Sequence, residues 1–216
     1  MIRVDVKSKA FGKTQVLKDV KFTLAPGETL AILGRSGIGK STLLRLVAGI
    51  DPDYSGAIER PASLAFVFQE PTLLPWRNAL DNLLLVHPAL SRQQALESLA
   101  RVGLIEKAEM YPGQLSLGQQ RRLALARAFA GRPELLILDE PFASLDEKTA
   151  AQMIALTRDL LKDVRPATLF VTHERDEARQ LADRVLEFAG SPATIVSDTD
   201  TPLNVVRPLF QREEVK

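Results

Sequence analysis

The sequence contains no cysteine, only two histidines and no long apolar run. The lack of cysteine excludes disulfides, thiolate zinc sites and cysteine nucleophiles. Two histidines are too few for a histidine-rich metal site. No apolar run approaches the roughly 18 residues that a membrane-spanning helix requires. We therefore expect the chain to reach a membrane only through a partner.

The chain also has little excess charge of either sign, with a net charge of +1 among 216 residues. Such a balance projects no strong field toward nucleic acid, so we expect no nucleic-acid partner. The N-terminus lacks a signal-peptide pattern, which predicts a cytoplasmic protein. A hydrophobic content of 45% is sufficient for a folded domain with a proper core.

The most specific motif present is a glycine-rich loop that fits G-x-x-x-x-G-K-[ST] without a mismatch. Its residues are Gly34, Arg35, Ser36, Gly37, Ile38, Gly39, Lys40, Ser41 and Thr42. An apolar run precedes the loop and a helical pattern follows it, so its amides and the helix dipole can bind phosphate. Lys40 would bridge the outer phosphates and Ser41 would offer its hydroxyl to Mg²⁺. Against the alternative of a turn without a ligand, we predict a nucleoside triphosphate site.

Predicted strands alternate with predicted helices along the chain. Alternating apolar residues in 1–30 predict half-buried strands, and three apolar runs predict buried strands at 63–68, 135–138 and 167–171. A helix over 147–161 separates the last two. This order predicts an α/β fold with a mostly parallel sheet.

The stretch 71–131 has helical periodicity and is predicted to be an insertion between two strands. A capping box at Ser91 begins one helix, which Gly103 ends. A second cap at Ser116 begins a helix that ends at about Ala130.

The C-terminal stretch 191–216 gives little pattern. Its features are Ser191-Pro192, Pro202 and the charged end Arg212-Glu213-Glu214, and they predict an irregular tail.

Polar side chains follow three predicted core strands. Asp139 and Glu140 follow 135–138, at the sheet edge where ligands bind. There Asp139 would hold Mg²⁺ through water and Glu140 would orient or deprotonate an attacking water. His173 could donate to the terminal phosphate, and the amide oxygen of Gln69 could reach Mg²⁺ or water. Surface or packing roles are the alternatives for all four residues.

Together these motifs resemble those of the ATP-binding subunits of ABC transporters. The glycine loop resembles Walker A, residues 135–140 resemble Walker B with catalytic Glu140, and Gln69 and His173 match the Q-loop and the H-loop. Three further matches are the signature motif at Leu115-Ser116-Leu117-Gly118-Gln119-Gln120, the D-loop at Ser144-Leu145-Asp146, and Phe11 as the aromatic that stacks on adenine. The resemblance covers about residues 1–190.

The resemblance implies a P-loop NTPase core from residues 1–70 and 132–190, with an N-terminal antiparallel β subdomain. It further implies an inserted α-helical subdomain at 71–131 and a C-terminal extension at 191–216. The implied activity is ATP hydrolysis with Mg²⁺, coupled to transport across a membrane.

The resemblance also implies that two copies, or two paired ATPase subunits, lie head to tail. ATP would then lie between the glycine loop of one copy and Ser116, Gly118 and Gln119 of the other. Leu117 departs from the family, because it occupies the first glycine position of the signature. A leucine amide serves equally well at negative φ, whereas positive φ would cost about 1–2 kcal/mol. We expect activity to survive.

The segment from Gln69 to Trp76 reads Q-E-P-T-L-L-P-W and resembles the importer branch for nitrate, sulfonate, taurine and pyrimidine-type solutes. Prolines prevent this segment from continuing a helix, and its apolar side chains would be costly to leave in water. Packing within the insertion is one explanation. Contact with the membrane permease, by residues near 70–78 including Arg77 and Asn78, is the explanation that the resemblance implies. A solvated surface without a partner is the alternative for Arg77 and Asn78.

This interpretation implies a peripheral protein on the inner face of the membrane that serves a periplasmic or extracellular solute-binding protein indirectly. An exporter or lipoprotein-release ATPase is the main alternative. A soluble ABC ATPase of translation or DNA repair would carry a second domain or long insertions, which the sequence lacks. A regulatory module without turnover is disfavoured by Glu140 and His173.

Overall fold

The computed structural model describes residues 1–201, which form one continuous nine-stranded sheet with helices on both faces. The strands are β1 (Ile2–Phe11), β2 (Thr14–Leu24), β3 (Thr29–Leu33), β4 (Ser55–Glu59), β5 (Leu64–Val67), β6 (Leu135–Asp139), β7 (Ala167–Thr172), β8 (Arg184–Gly190) and β9 (Ala193–Asp200). The helices are α1 (Lys40–Ala48), α2 (Ala79–Leu84), α3 (Arg92–Arg101), α4 (Leu117–Ala130), α5 (Glu147–Val164) and α6 (Arg175–Leu181). Two short 3₁₀ turns lie at Ile105–Lys107 and Pro112–Gln114.

The strand order is β4-β1-β2-β9-β8-β3-β7-β6-β5. From β8 to β5 the neighbours are parallel, whereas β4, β1 and β2 pair antiparallel at the opposite side. The central strands β3, β6 and β7 are buried along their whole length, as expected for parallel strands covered on both faces. The predicted mostly parallel α/β fold with antiparallel N-terminal strands is confirmed.

The sheet separates two apolar clusters. On β3, Leu30 and Ile32 join the cluster that includes Leu43 of α1. The alternate residues Ala31 and Leu33 join the cluster formed with the helices between β5 and β6 and with α5. Because successive strand residues point to opposite faces, one apolar strand supplies both cores.

The helices between β5 and β6 begin where their caps predict. Ser91 and Ser116 each accept a hydrogen bond from the amide three residues later and complete a capping box. Gly103 lies at φ 72° just after α3, and α4 ends at Ala130. Local sequence therefore sets these boundaries.

The strand predicted at 63–68 and the helix predicted at 147–161 are present with different bounds, and the prediction of an irregular tail was wrong for residues 193–200. The predicted strand 63–68 is shorter and mostly half-buried, because β5 lies at the edge of the sheet. The predicted helix 147–161 extends to Val164. Residues 193–200 of the predicted irregular tail form β9, which pairs with β8, whereas Pro202 and the charged end lie outside the described residues.

The strands β4 and β8 were not predicted. Within residues 1–201, no helix combines the length and the apolar character needed to cross a membrane.

Candidate active site

The glycine loop joins the end of β3 to the start of α1. Gly39 caps the helix at φ 112°, and a Cβ there would lie 2.8 Å from Cγ1 of Val16, so no larger residue fits. Because Gly39 has no side chain to cap the helix, the first amides of α1 are left for an external acceptor. Such an arrangement favours an anion.

Lys40 lies inside the curve of the loop with only 4% of its surface exposed. Its Nζ donates to the carbonyls of Gly34 at 2.8 Å and Arg35 at 3.0 Å. An ammonium group has three donors, so these two contacts fix its position and leave one N–H for a phosphate oxygen.

Ser41 and Asp139 meet across the sheet edge. The Ser41 hydroxyl donates to Oδ1 of Asp139 at 2.8 Å, and Asp139 is 7% exposed. Burial raises the pKa of the Asp139 carboxyl, the hydrogen bond from Ser41 opposes this shift, and the charge of Glu140 adds to it. The positive charges of Arg45 and Lys40 also act to lower the pKa of Asp139, but less than burial raises it.

This pair fits Mg²⁺, which prefers oxygen ligands and is commonly held by one or two protein groups together with phosphates and water. Within residues 1–201, no group of three acidic, histidine or cysteine side chains has the arrangement of a metal cage. A cation at Ser41 and Asp139 would therefore take its remaining ligands from phosphate and water.

Glu140 adopts a backbone conformation that side-chain-bearing residues rarely occupy, with φ 44°. Its amide donates to the carbonyl of Val171 at 3.0 Å, which ties it to the neighbouring strand β7. One carboxylate oxygen lies 3.6 Å from Nζ of Lys40, and the other lies 3.6 Å from Nδ1 of His173. Strained residues held in this way concentrate at functional sites.

His173 follows β7 and is half exposed, with Nε2 3.4 Å from Oε1 of Glu174. The turn behind it is held by Thr172, whose hydroxyl accepts from the amide of Glu174 and donates to Glu177. Burial raises the pKa of Glu177, and the hydrogen bond from Thr172 opposes this shift. Sequence reasoning missed Thr172 and Glu177; the available signal was an acid on the helix just after a strand-end threonine.

A cleft of about 860 Å³ lies beside the glycine loop and His173, and its lining does not include Lys40, Ser41, Asp139 or Glu140. It is lined by Gly34–Ile38 and His173, by the start of β2 at Thr14–Val16, and by Phe188–Ala193. This volume suits a nucleotide. The connection between β8 and β9 was not predicted to contribute.

Phe11 lies outside that lining, at the turn between β1 and β2, and is 54% exposed. Nζ of the buried Lys9 lies 4.6 Å from the centre of the Phe11 ring and 2.8 Å from Asp51. This cation–π contact holds the ring from one side.

Gln69 is exposed, two residues beyond the end of β5. Within residues 1–201, no hydrogen bond joins it to Ser41 or Asp139. The structure joins Ser41 to Asp139, and it joins Glu140 to Lys40 and His173. Among residues 1–201 it shows no hydrogen bond from Gln69 to this group.

The predicted signature forms the start of α4, where Ser116 Oγ accepts from the amide of Gln119 at 3.3 Å. The Gln119 side chain in turn accepts from the amide of Ser116 at 3.0 Å. Leu117 is the first helical residue, is 46% exposed and has negative φ, so it requires no strained backbone. Gly118 lies against α5, with the position of a Cβ 3.4 Å from Thr149.

Asp146, in the predicted D-loop, caps α5 by accepting from the amide of Thr149 at 3.0 Å. The hydrogen bonds from Thr149 lower the pKa of Asp146. The cap explains why an aspartate suits this position whatever else it contacts.

The segment after Gln69 divides its apolar residues between core and surface. Leu73 packs against the helical core, whereas Trp76 is 68% exposed. Packing inside the insertion is therefore wrong for Trp76. Arg77 pairs with Asp81, and the side chain of Asn78 accepts from the amide of Asp81 and so caps α2.

Comparison with known sequences gives a consistent set of relatives. Residues 17–143 match the family described as ABC transporter. An aliphatic sulfonates import ATP-binding protein of Frankia alni is 50% identical over 179 residues, which are 82% of this chain and 73% of that protein. One from Pseudomonas aeruginosa is 42% identical over 219 aligned positions, which cover 94% of this chain and 87% of that protein.

Comparison with solved structures gives the same architecture. The dimeric, post-hydrolysis state of the ATP-binding cassette MJ0796 bound to ADP and Pi has a TM-score of 0.78 and 27% identity. The superposition covers 94% of the present chain and 100% of the MJ0796 chain.

Proposed function

Because the chain belongs to the ABC transporter family, as an ATP-binding and ATP-hydrolysing subunit, we propose that it powers the import of a small aliphatic sulfonate. The placement of Glu140 between Lys40 and His173 carries the proposal of hydrolysis. The likeness to sulfonate import proteins supports the solute class, because two of them share 50% and 42% identity with the chain. No specific observation favours an exporter.

The residues of the glycine loop bind the triphosphate through the free amides of α1 and the remaining N–H of Lys40. Glu140 takes a proton from the water whose oxygen forms a bond to the terminal phosphorus, while the bond from that phosphorus to the bridging oxygen breaks and ADP leaves. Before the attack, His173 orients that water, or it donates a hydrogen bond to the terminal phosphate. The strained backbone of Glu140 fixes its carboxylate in advance, so little reorganisation is needed during the reaction.

Ser41 and Asp139 would hold Mg²⁺ in this proposal, and the amide oxygen of Gln69 would supply a further ligand. The cation, when bound, neutralises charge on the phosphates. The proximity of the Ser41 hydroxyl to the buried Asp139 carboxylate supports this assignment.

The signature contacts the ATP bound by a second copy or a paired subunit. The capping box uses a lone pair of the Ser116 oxygen and leaves its O–H hydrogen free for a phosphate oxygen. The dimeric cassette among the structural neighbours supports this arrangement. The contact with the permease forms through residues 70–78, where Trp76 is exposed, and places the chain on the inner face of the membrane.

Accumulation of labelled taurine by cells tests the solute class. A strain that lacks the chain should fail to accumulate taurine, and the native chain should restore uptake. Lys40→Ala should not restore it, because the triphosphate loses its charged contact, and purified Lys40→Ala should lose ATP binding. If the deletion leaves nitrate uptake unchanged, the result supports a sulfonate as the solute. If the native chain restores nitrate uptake but not taurine uptake, the assignment to sulfonates is overturned.

A further inference from the structure

The exposed Trp76 lies in residues 71–78, here called the Trp76 segment. Side chains from two helices form hydrogen bonds to the backbone of this segment. Arg127, near the end of α4, donates from Nη1 to the carbonyl of Thr72 at 3.0 Å. Its Nη2 donates to the carbonyl of Pro71 and to Oγ1 of Thr72, both at 3.2 Å. A planar guanidinium holds several acceptors in one fixed geometry, which a lysine does not.

The second attachment is Asn82 of α2, which is fully buried. Its Oδ1 accepts from the amide of Leu74 at 2.8 Å, and its Nδ2 donates to the carbonyls of Leu74, Arg77 and Asn78 at 3.2, 3.1 and 2.9 Å. Asn82 thus holds the chain on both sides of Trp76.

The backbone at Thr72 needs such attachment. Its φ of 45° lies in the left-handed region, which is unfavourable for a β-branched residue. A conformation of this kind persists only where the surroundings determine it. All three contacts from Arg127 fall on Thr72 and the residue before it.

Arg127 and Ser116 lie toward opposite ends of one helix. They are eleven positions apart, which corresponds to roughly 16 Å along a rigid α-helix. The start of α4 therefore carries the residues proposed to contact the nucleotide of a partner. Its last turn carries Arg127, which forms hydrogen bonds to the Trp76 segment.

We propose that Arg127 is a positioning residue that fixes the Trp76 segment to the end of α4, so that movement of the signature on ATP binding carries the permease-contacting surface with it. The inference rests on the proposed function, because it assigns the transmission between two of its sites. A purely structural role for Arg127 would instead stabilise the fold without governing Trp76.

Trp76 is the only tryptophan in the chain, so its fluorescence reports this segment alone. We would compare the native chain with Arg127→Met, Arg127→Lys and the matched control Arg122→Met. Arg122 lies on the same helix, but its guanidinium bonds Gln152 of α5. Acrylamide quenching, fluorescence anisotropy and the melting temperature would be measured for each full-length protein without nucleotide.

Arg127→Met should raise the quenching constant of Trp76 and lower its anisotropy. Arg127→Lys should give an intermediate result, because one ammonium cannot reproduce the forked contacts. Arg122→Met should match the native chain even if its melting temperature falls. Native quenching and anisotropy in both Arg127 variants would overturn the proposal. If Arg127→Met fails to fold, the lysine variant decides the question.

A second measurement separates this inference from the proposed function. In a Glu140→Gln background, ATP should produce a dimer and a change in Trp76 fluorescence. Adding Arg127→Met should leave the dimer intact and abolish the fluorescence change. The same fluorescence change in that double variant would overturn transmission through Arg127. Failure of Glu140→Gln alone to dimerise with ATP would contradict the proposed dimer, while the nucleotide-free quenching still decides whether Arg127 fixes the segment.

Discussion

The glycine-loop region and the signature region are built by different kinds of contact. In the former, buried polar groups are joined across the fold, as in the hydrogen bond between Ser41 and Asp139. In the latter, Ser116 is exposed and Gln119 is half-buried, and the side chain of each accepts a hydrogen bond from the other's backbone amide within one helical turn. Contacts between elements distant in the sequence join the first region, whereas the capping contacts of the second lie within four consecutive residues.

This difference suits the glycine-loop region to catalysis and the signature region to contact with a second molecule. Fixed charges in a buried site interact strongly and need little reorganisation, so the loop region is suited to stabilise a reaction. A capped helix end at the surface has a stable local shape, so it is suited to meet a second molecule. Substitutions in the two regions should therefore fail in distinguishable ways.

The largest effect is expected from Glu140→Gln. Removal of the base should slow ATP turnover by about 10²–10⁴-fold while ATP still binds. Phosphate release and size-exclusion chromatography with ATP would measure both properties. An unchanged rate of phosphate release would remove Glu140 as the base.

A smaller effect is expected from Ser116→Ala, with Ser91→Ala as its control. Both serines form capping boxes, so each variant should lose about 1 kcal/mol of unfolding free energy. Only Ser116→Ala should also slow turnover, roughly tenfold to a hundredfold, because it loses a hydrogen bond to a charged phosphate. Urea titration would measure the unfolding free energies, and ATPase assays would measure turnover. Equal ATPase activity in the two variants would mean that Ser116 acts only as a helix cap.

Glu177→Gln should alter the pH dependence of stability. The pKa of Glu177 is raised in the folded chain, so the folded state binds more protons as pH passes from the unfolded pKa to the folded pKa. The unfolding free energy contributed by this group therefore falls as pH rises through that window. The variant should remove this fall, and urea titrations from pH 4 to 8 would measure it. An unchanged pH profile would show that Glu177 does not contribute.

The smallest effect is expected from Leu117→Gly, which restores the usual signature residue. Because Leu117 already has negative φ, the backbone gains no needed freedom, and the helix loses less than about 1 kcal/mol. Turnover should stay near the native rate. A severalfold increase in ATPase activity would show that the leucine obstructs the contact.

Local patterns predicted the features that local chemistry determines. The glycine loop, the caps at Ser91 and Ser116, and the wholly apolar strands followed from a few consecutive residues. The meeting of Asp139, Glu140 and His173 followed from one rule about the ends of parallel strands.

Other features depend on contacts between distant residues. The strands β4 and β8 and most of β9 mix polar and apolar residues, and Pro192 interrupts the pattern, so only pairing across the sheet defines them. Nothing in the sequence around Asn82 indicates its role, because its four hydrogen bonds are to residues brought near by the fold of the preceding segment. The positive φ of Glu140 likewise has no signal in the sequence.

The sheet is joined most narrowly between β2 and β9, which share a single pair of residues, Leu17 and Ala193. Strands on one side of this seam carry Phe11, and strands on the other side carry the glycine loop. Side-chain packing holds the two sides together, because Leu17 of β2 shares one apolar cluster with Leu43 of α1. A nucleotide that reached from Phe11 to the glycine loop would therefore span a junction that depends on packing more than on backbone pairing.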